Sequence, residues 1–422
     1  MRSAALPTLP RAATTNWSNA GAPDRFWPAD AVVFDDSSTN GSVILAGDMA
    51  PRSVVVSNAS RSYNFSSGSL SGDCSLVKQG TGALTLSASN GFTGGLFLNG
   101  GSVTLANDTA NTHGPGAGPI TFGGGALTMF DDLNSYNACT WNLIVPAGQT
   151  GSLTLDSRCD FYGALTGGGT LNLKVAWVRS TLYGDWSGFT GQMNVAPRSG
   201  SAEFRLVHPN GLPAASVFLS NSVTAYPTFD DGTIEVGELA GASGAVLGPG
   251  NGNGANPTWL VGGKNTSATF AGQIRDAGVT KVLKVGSGAW TLSGSNSFSG
   301  GLVVSNGAVL EINSSGVFAG TLALAAGTSV RGGTGTHTFD GVANISGNLS
   351  LNGVTKPLTL TVEFEGATVD PWGNARIGFS ASGELDRDEF GVSWNQALET
   401  GGVVVGKTVK LEIDAEAVRP LG

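Results

Sequence analysis

Carboxylates are the first residues in this chain that could do chemistry. Asp131 with Asp132, Asp156 with Asp160, and Asp230 with Asp231 are the candidate groupings. Cleaving a glycosidic bond needs two carboxyl groups roughly 5 to 9 Å apart. Adjacent residues on a strand point to opposite faces, so an Asp-Asp pair offers one carboxylate per face. Only stacking of distant segments would complete a pair, and Asp also favours solvated turns. The three histidines, His113, His208 and His337, lie far apart and show no metal-ligand spacing. They read as turn or surface residues. No nucleophile elbow, P-loop or complete calcium loop of spaced Asp residues occurs. No catalytic residue, metal or cofactor is therefore assigned, and the chain is expected not to be an enzyme. Three cysteines are too few for a disulfide scaffold or a Cys-only zinc site. Cys139 and Cys159 stand 20 residues apart, which leaves both a bridge between coils and two buried thiols open.

The elements that would position such groups are announced by a gapless internal repeat at a separation of 206 residues. Lys78-Gln79-Gly80-Thr81-Gly82-Ala83-Leu84-Thr85-Leu86-Ser87 aligns with Lys284-Val285-Gly286-Ser287-Gly288-Ala289-Trp290-Thr291-Leu292-Ser293. Asn90, Phe92, Gly94, Gly95 and Leu96 continue onto Asn296, Phe298, Gly300, Gly301 and Leu302. Such repeats mean stacked units, each burying a face only against its neighbour. Leu84, Leu86, Trp290 and Leu292 alternate with Thr, so they are expected to point into the core. Short alternating runs closed by Gly, Asn and Ser fill the rest, including Ser102-Val103-Thr104-Leu105 and Gly151-Ser152-Leu153-Thr154-Leu155. A weaker copy stands at Leu182-Tyr183-Gly184-Asp185-Trp186-Ser187-Gly188-Phe189-Thr190-Gly191.

Bulk composition agrees. At 422 residues the chain exceeds one ordinary compact domain, a limit that a solenoid escapes by growing along one axis. Gly is 65 of 422, about twice the usual share, as tight corners require. Hydrophobic residues reach 40%, which excludes a disordered chain. Net charge is −9 with no basic tract, which speaks against a nucleic-acid partner. No apolar stretch could span a bilayer as a helix. The first residues hold no run of signal-peptide length, so the sequence reads as a mature or truncated chain.

Three regions follow. Residues 1–50 read as an N-terminal cap carrying Trp17 and Trp27, and 51–346 as the repeat array. The Gly-x-Gly-x-(Leu/Trp)-Thr-Leu-Ser-x-x-Asn-x-Phe pattern of Gly80–Gly95 and Gly286–Gly301 resembles the autotransporter-associated β-strand repeat. That resemblance implies a right-handed parallel β-helix exported to the cell surface, and no particular chemistry.

Composition changes near residue 347. Residues 347–422 hold 17 charged residues, six basic and eleven acidic, against 36 in all the preceding chain. Leu358, Leu360, Val362 and Phe364 alternate with polar residues, as do Val409, Leu411 and Ile413. The pattern predicts an antiparallel sheet with those seven residues on one buried face. Leu351-Asn352-Gly353-Val354-Thr355-Lys356-Pro357, Asp370-Pro371-Trp372-Gly373-Asn374 and Asp386-Arg387-Asp388-Glu389-Phe390-Gly391 resemble the C-terminal half of YceI-like proteins. The resemblance implies a lipocalin-like antiparallel barrel holding a polyisoprenoid or similar amphiphile. Here no first half stands upstream, and half a barrel cannot close. The sheet is therefore expected to be partial and to cap the last coil. Trp372, Phe379, Phe390 and Trp394 are its candidate lipid-binding residues, and core packing is their other role.

The fold class read from these residues is all-β, a β-helix followed by a partial antiparallel sheet. Three functions fit: a non-enzymatic surface scaffold or adhesin touching a cell-surface or extracellular polymer, an isoprenoid-type lipid binder, and a polysaccharide-active enzyme. The expected location is secreted or cell-surface.

Overall fold

The computed structural model describes residues 17–106, 114–129, 137–155, 157–177, 180–207, 211–227, 232–248, 256–276, 278–305, 307–313, 317–318, 322–325, 328–332, 338–339, 343–372, 374–395 and 405–419. The chain divides into two compact units, Met1–Thr228 and Phe229–Gly422. The fold is all-β: the one helix among the described residues is the 3-10 turn Arg387–Phe390. His113, His208, His337, Asp131, Asp132, Asp156, Asp230 and Asp231 lie outside the described residues.

The first unit is a parallel β-solenoid. Its longest ladder stacks Ala83–Ser87, Ser102–Leu105, Ala126–Met129, Thr150–Thr154 and Thr170–Val175, all parallel and in register. Successive rungs are one coil apart, 19 residues from Ala83 to Ser102 and 26 from Ala126 to Ser152. A second ladder runs from Ala31–Asp35 through Ser53–Ser57 and Ser75–Gln79 to Leu96–Leu98 and Ile120–Phe122. Among the described residues, parallel pairing thus begins at Ala31. A third face opens at Asn137–Cys139 and continues through Cys159–Phe161, Thr181–Leu182 and Ala202–Leu206. Ahead of the first coil, the hairpin Trp17–Asn19 and Ala22–Asp24 brings Trp17 to 5.3 Å from the ring of Phe34. Phe34 in turn lies 4.8 Å from Phe65. These rings pack over the end of the first coil among the described residues.

Alternation decides what enters that core. Leu84, Leu86, Val103, Leu127 and Leu171 are fully buried, while Thr85 and Thr104 between them are half-buried on the outer side. Each turn contributes such residues only against its neighbours, so stability is shared among coils.

The second unit starts as a parallel β-solenoid of the same kind. Thr258–Val261, Lys281–Lys284, Leu302–Val304 and Leu322–Leu324 form one parallel ladder. Ala268–Phe270, Ala289–Leu292, Val309–Ile312 and Ser329–Gly332 form another. Trp290 and Leu292 point inward, at 2% and 0% exposure, as their alternation with Thr requires.

The strand Ala343–Leu351 changes the architecture. Its first residues pair parallel with Leu322–Leu324, and its whole length pairs antiparallel with Val354–Val369. Ala375–Asp386 and Thr408–Arg419 follow, each antiparallel to the last. The result is a curled antiparallel half-barrel.

Candidate functional site

The solenoid motif residues build corners. Lys78, fully buried, donates from Nζ to the carbonyls of Gln79 and Gly80 at 2.8 and 3.1 Å. Lys284 does the same to Val285 and Gly286 at 2.5 and 2.9 Å. A buried ammonium is costly unless hydrogen-bonded, and these carbonyls supply its partners. Burial pushes Lys284 down to about 8. Both lysines were visible as the first letter of the motif, yet lysine is ordinarily solvated, so nothing in the spacing announced an inward clamp.

The outer surface of the longest ladder is polar and uncharged over several coils. Thr85, Thr104, Thr128 and Thr154 stand in one register column. Asn172 and Asn194 continue a neighbouring column, bonded side chain to side chain at 2.9 Å. On the third face Tyr162 and Tyr183 stack at 4.8 Å with their planes 10° apart.

Asp160 is the one candidate carboxylate among the described residues. It lies half-buried on Cys159–Phe161, and burial raises its pKa. In register it meets Thr181, which meets Arg205, so no second carboxylate sits beside it in that column. Glu203 is two residues from Arg205 and is engaged by its guanidinium at 2.9 Å. No group of three His, Cys, Asp or Glu able to hold a metal occurs among the described residues.

Cys139 and Cys159 are buried, with sulfurs 3.2 Å apart. Cys139 pairs with Phe161, however, and Cys159 with Asn137. The two cysteines are thus diagonal neighbours, two residues out of step. Strand spacings put such Cα atoms about 8 Å apart, beyond the roughly 7 Å that a disulfide spans. They stand as two thiols in contact, and Cys74 is a third buried thiol.

The tail does not gather its four aromatic candidates. Trp372 sits on the turn between Val354–Val369 and Ala375–Asp386 and is 78% exposed. Trp394 follows the 3-10 turn at the other end of Ala375–Asp386 and is 68% exposed. Twelve residues of strand hold these two apart, which at about 3.3 Å each is over 30 Å. Phe390 is buried at 3%, and Phe379 is half-buried opposite Phe364.

Two polar clamps shape the ends of the sheet. The Asp370 carboxylate accepts from the backbone N–H groups of Trp372 and Asn374, from Asn374 Nδ2 and from Arg376 Nε, at 2.8 to 3.0 Å. Burial alone would raise its pKa, but the bonds from Asn374, Arg376 and Trp372 outweigh it and hold the group at about 2. Arg387 is 6% exposed and donates to the carbonyls of Gly406, Val392 and Trp394 at 2.8 to 2.9 Å. Sequence alone assigned neither clamp, although both lie inside the matched motifs.

The apolar row predicted for the sheet is on one face by register but is not uniformly buried. Val362 is 8% exposed and Leu358, Leu360 and Leu411 are half-buried, whereas Val409 is 37% and Ile413 44% exposed. Thr408–Arg419 is the last strand, paired on one side only among the described residues. Among the described residues no further strand flanks it, so alternation set the face of Val409 and Ile413 without burying them. The Phe364 side chain lies outside the described residues.

Comparison with known families fits this geometry. The YceI-like domain model matches residues 321–417, the stretch that holds the curled sheet. The tail is thus similar to part of a YceI-like domain. The passenger-associated transport repeat matches residues 76–105 and 282–312, which are the two aligned repeats of the solenoid. The YceI-like domain is 37% identical over 92 residues to a UPF0312 protein of Staphylococcus aureus (strain USA300), covering 19% of this chain and 54% of that protein. It is 44% identical over 73 residues to a UPF0312 protein of Staphylococcus epidermidis (strain ATCC 35984), covering 17% and 43%. The chain spans about half the length of these curated relatives. Among the described residues no helix is long and apolar enough to cross a membrane.

Proposed function

We propose that the chain is an exported, non-enzymatic scaffold of the cell surface that touches an extracellular polymer through the flat polar side of its solenoid. One observation carries this reading: both passenger-associated repeats fall on coils whose inward-facing side chains are buried, each within its own unit. Export is what that type of repeat is named for. The Thr85–Thr104–Thr128–Thr154 column offers hydroxyls at about 4.8 Å intervals, a regular array suited to a repeating polar polymer. The test is co-sedimentation of the full chain with insoluble chitin, cellulose and peptidoglycan, with Thr104→Lys/Thr128→Lys as the control. Binding lost in the double variant, with an unchanged circular dichroism spectrum, supports the reading. Binding to none of the three removes the polymer contact, and release of soluble sugar contradicts the non-enzymatic part.

A second reading is amphiphile binding by the YceI-like domain, favoured by the open apolar row at Val409 and Ile413. Titration with a long-chain isoprenoid should then change tryptophan fluorescence at micromolar ligand. An unchanged signal removes this reading and leaves the first untouched.

A further inference from the structure

We propose that the edge strand Thr408–Arg419 pairs antiparallel with the same strand of a second copy, with Leu411 opposite its own counterpart. The strand is twelve residues long and is paired only with Ala375–Asp386 among the described residues. A free edge of that length is a template for strand addition. Its apolar row, Val409, Leu411 and Ile413, continues the face that holds Val362 and Leu385, yet Val409 and Ile413 are exposed.

Charge selects the occupant and the register. Residues directly opposite across an antiparallel pair share a face, so only registers that match odd with odd positions join the two apolar rows. Centring the pair on Leu411 sets Val409 against Ile413 of the second copy, and Lys410 against Glu412, twice by symmetry. Centring it on Ile413 instead sets Glu412 against Asp414, a repulsive contact made twice that offsets the Lys410–Glu416 pairs of that register. The Leu411 register is thus self-complementary in both its apolar and its charged rows, as a twofold interface requires. Lys410 is free enough to turn outward, since its contact with Glu384 is long, at 4.0 Å, and both side chains are well exposed.

The test is light scattering with size exclusion on the full chain at micromolar concentrations. Wild type should be a dimer. Lys410→Glu should weaken it at least about tenfold, and Lys410→Glu/Glu412→Lys should restore it. Ile413→Lys should give a monomer with an unchanged circular dichroism spectrum, because the site is already exposed in one copy. A chain that stays monomeric at every concentration overturns the proposal. So does a dimer indifferent to both Lys410→Glu and Ile413→Lys. A monomer from which an amphiphile can be extracted also overturns it and gives the apolar row to lipid.

Discussion

Asn90 and Asn296 stand 206 positions apart and make the same pair of bonds. Asn90 Oδ1 accepts from the backbone N–H of Leu70 at 3.0 Å, and its Nδ2 donates to the carbonyl of Ala88 at 2.9 Å. Asn296 accepts from Ile274 at 2.9 Å and donates to Gly294 at 2.9 Å. Each asparagine joins its own coil to the preceding one while closing its own turn. Asn296 is 2% exposed, so its loss leaves the Ile274 N–H buried without that partner. Asn296→Ala should cost about 1–3 kcal/mol in urea unfolding, and the more exposed Asn90→Ala less. Asn296→Asp should cost more than Asn296→Ala, because it buries a charged carboxylate with one oxygen against the Gly294 carbonyl. Equal stability of all three variants would mean that the bonds do not hold the coils.

Gly286 and Gly307 separate backbone conformation from crowding. Both have φ of +71°. A Cβ on Gly286 would stand 2.2 Å from the carbonyl oxygen of Gly262, whereas one on Gly307 meets nothing within 4 Å. Gly307→Ala should cost about 1 kcal/mol, the left-handed penalty alone. Gly286→Ala should cost clearly more, since a backbone atom must move. Equal melting temperatures for the two variants would refute the close packing of coils at this corner.

Lys284 should make stability depend on alkaline pH. Burial lowers its pKa from 10.5 to about 8 in the folded chain. The unfolded chain therefore holds the proton more tightly, and folding carries a cost below pH 8. That cost fades as pH rises from 8 through 10.5. Compared with Lys284→Met, wild type should gain about 1–3 kcal/mol across this window. A difference between the two proteins that stays flat with pH would show that the ammonium is not desolvated.

Much of this was legible in the sequence, and the parts that were not share a cause. Alternation with Thr marked Leu84, Leu86, Trp290 and Leu292 as core, because a strand's period of two fixes the face. The third face was not legible: Thr181–Leu182 and Val246–Leu247 are two-residue strands, too short to show a period. Lys78, Lys284 and Arg387 were hidden because long cations are usually solvated, and only the three-dimensional fold turns carbonyls toward them. Alternation likewise put Val409 and Ile413 on the apolar face, but coverage depends on what lies across from the strand. Trp372 and Trp394 were named together as candidates of one site, and an intervening strand carries them apart.

Asp370 should make the YceI-like domain acid-sensitive in a narrow range. Its carboxyl is held at about 2 in the folded chain, below the ordinary 3.8. Its contribution is present above pH 4 and is lost as pH falls toward 2. Asp370→Asn lacks it throughout, so the stability gap between variant and wild type should close between pH 4 and 2. Fluorescence of the adjacent Trp372 reports the change. A gap that persists at pH 2 would show that the carboxylate's charge does not stabilise the turn.

The most direct test of the surface-scaffold account is protease shaving of intact cells that make the full chain from its natural gene. Immunoblotting with an antibody to the 76–105 repeat should show the solenoid degraded by added protease while a cytoplasmic marker survives. A chain that resists protease until the cells are lysed would contradict display at the cell surface.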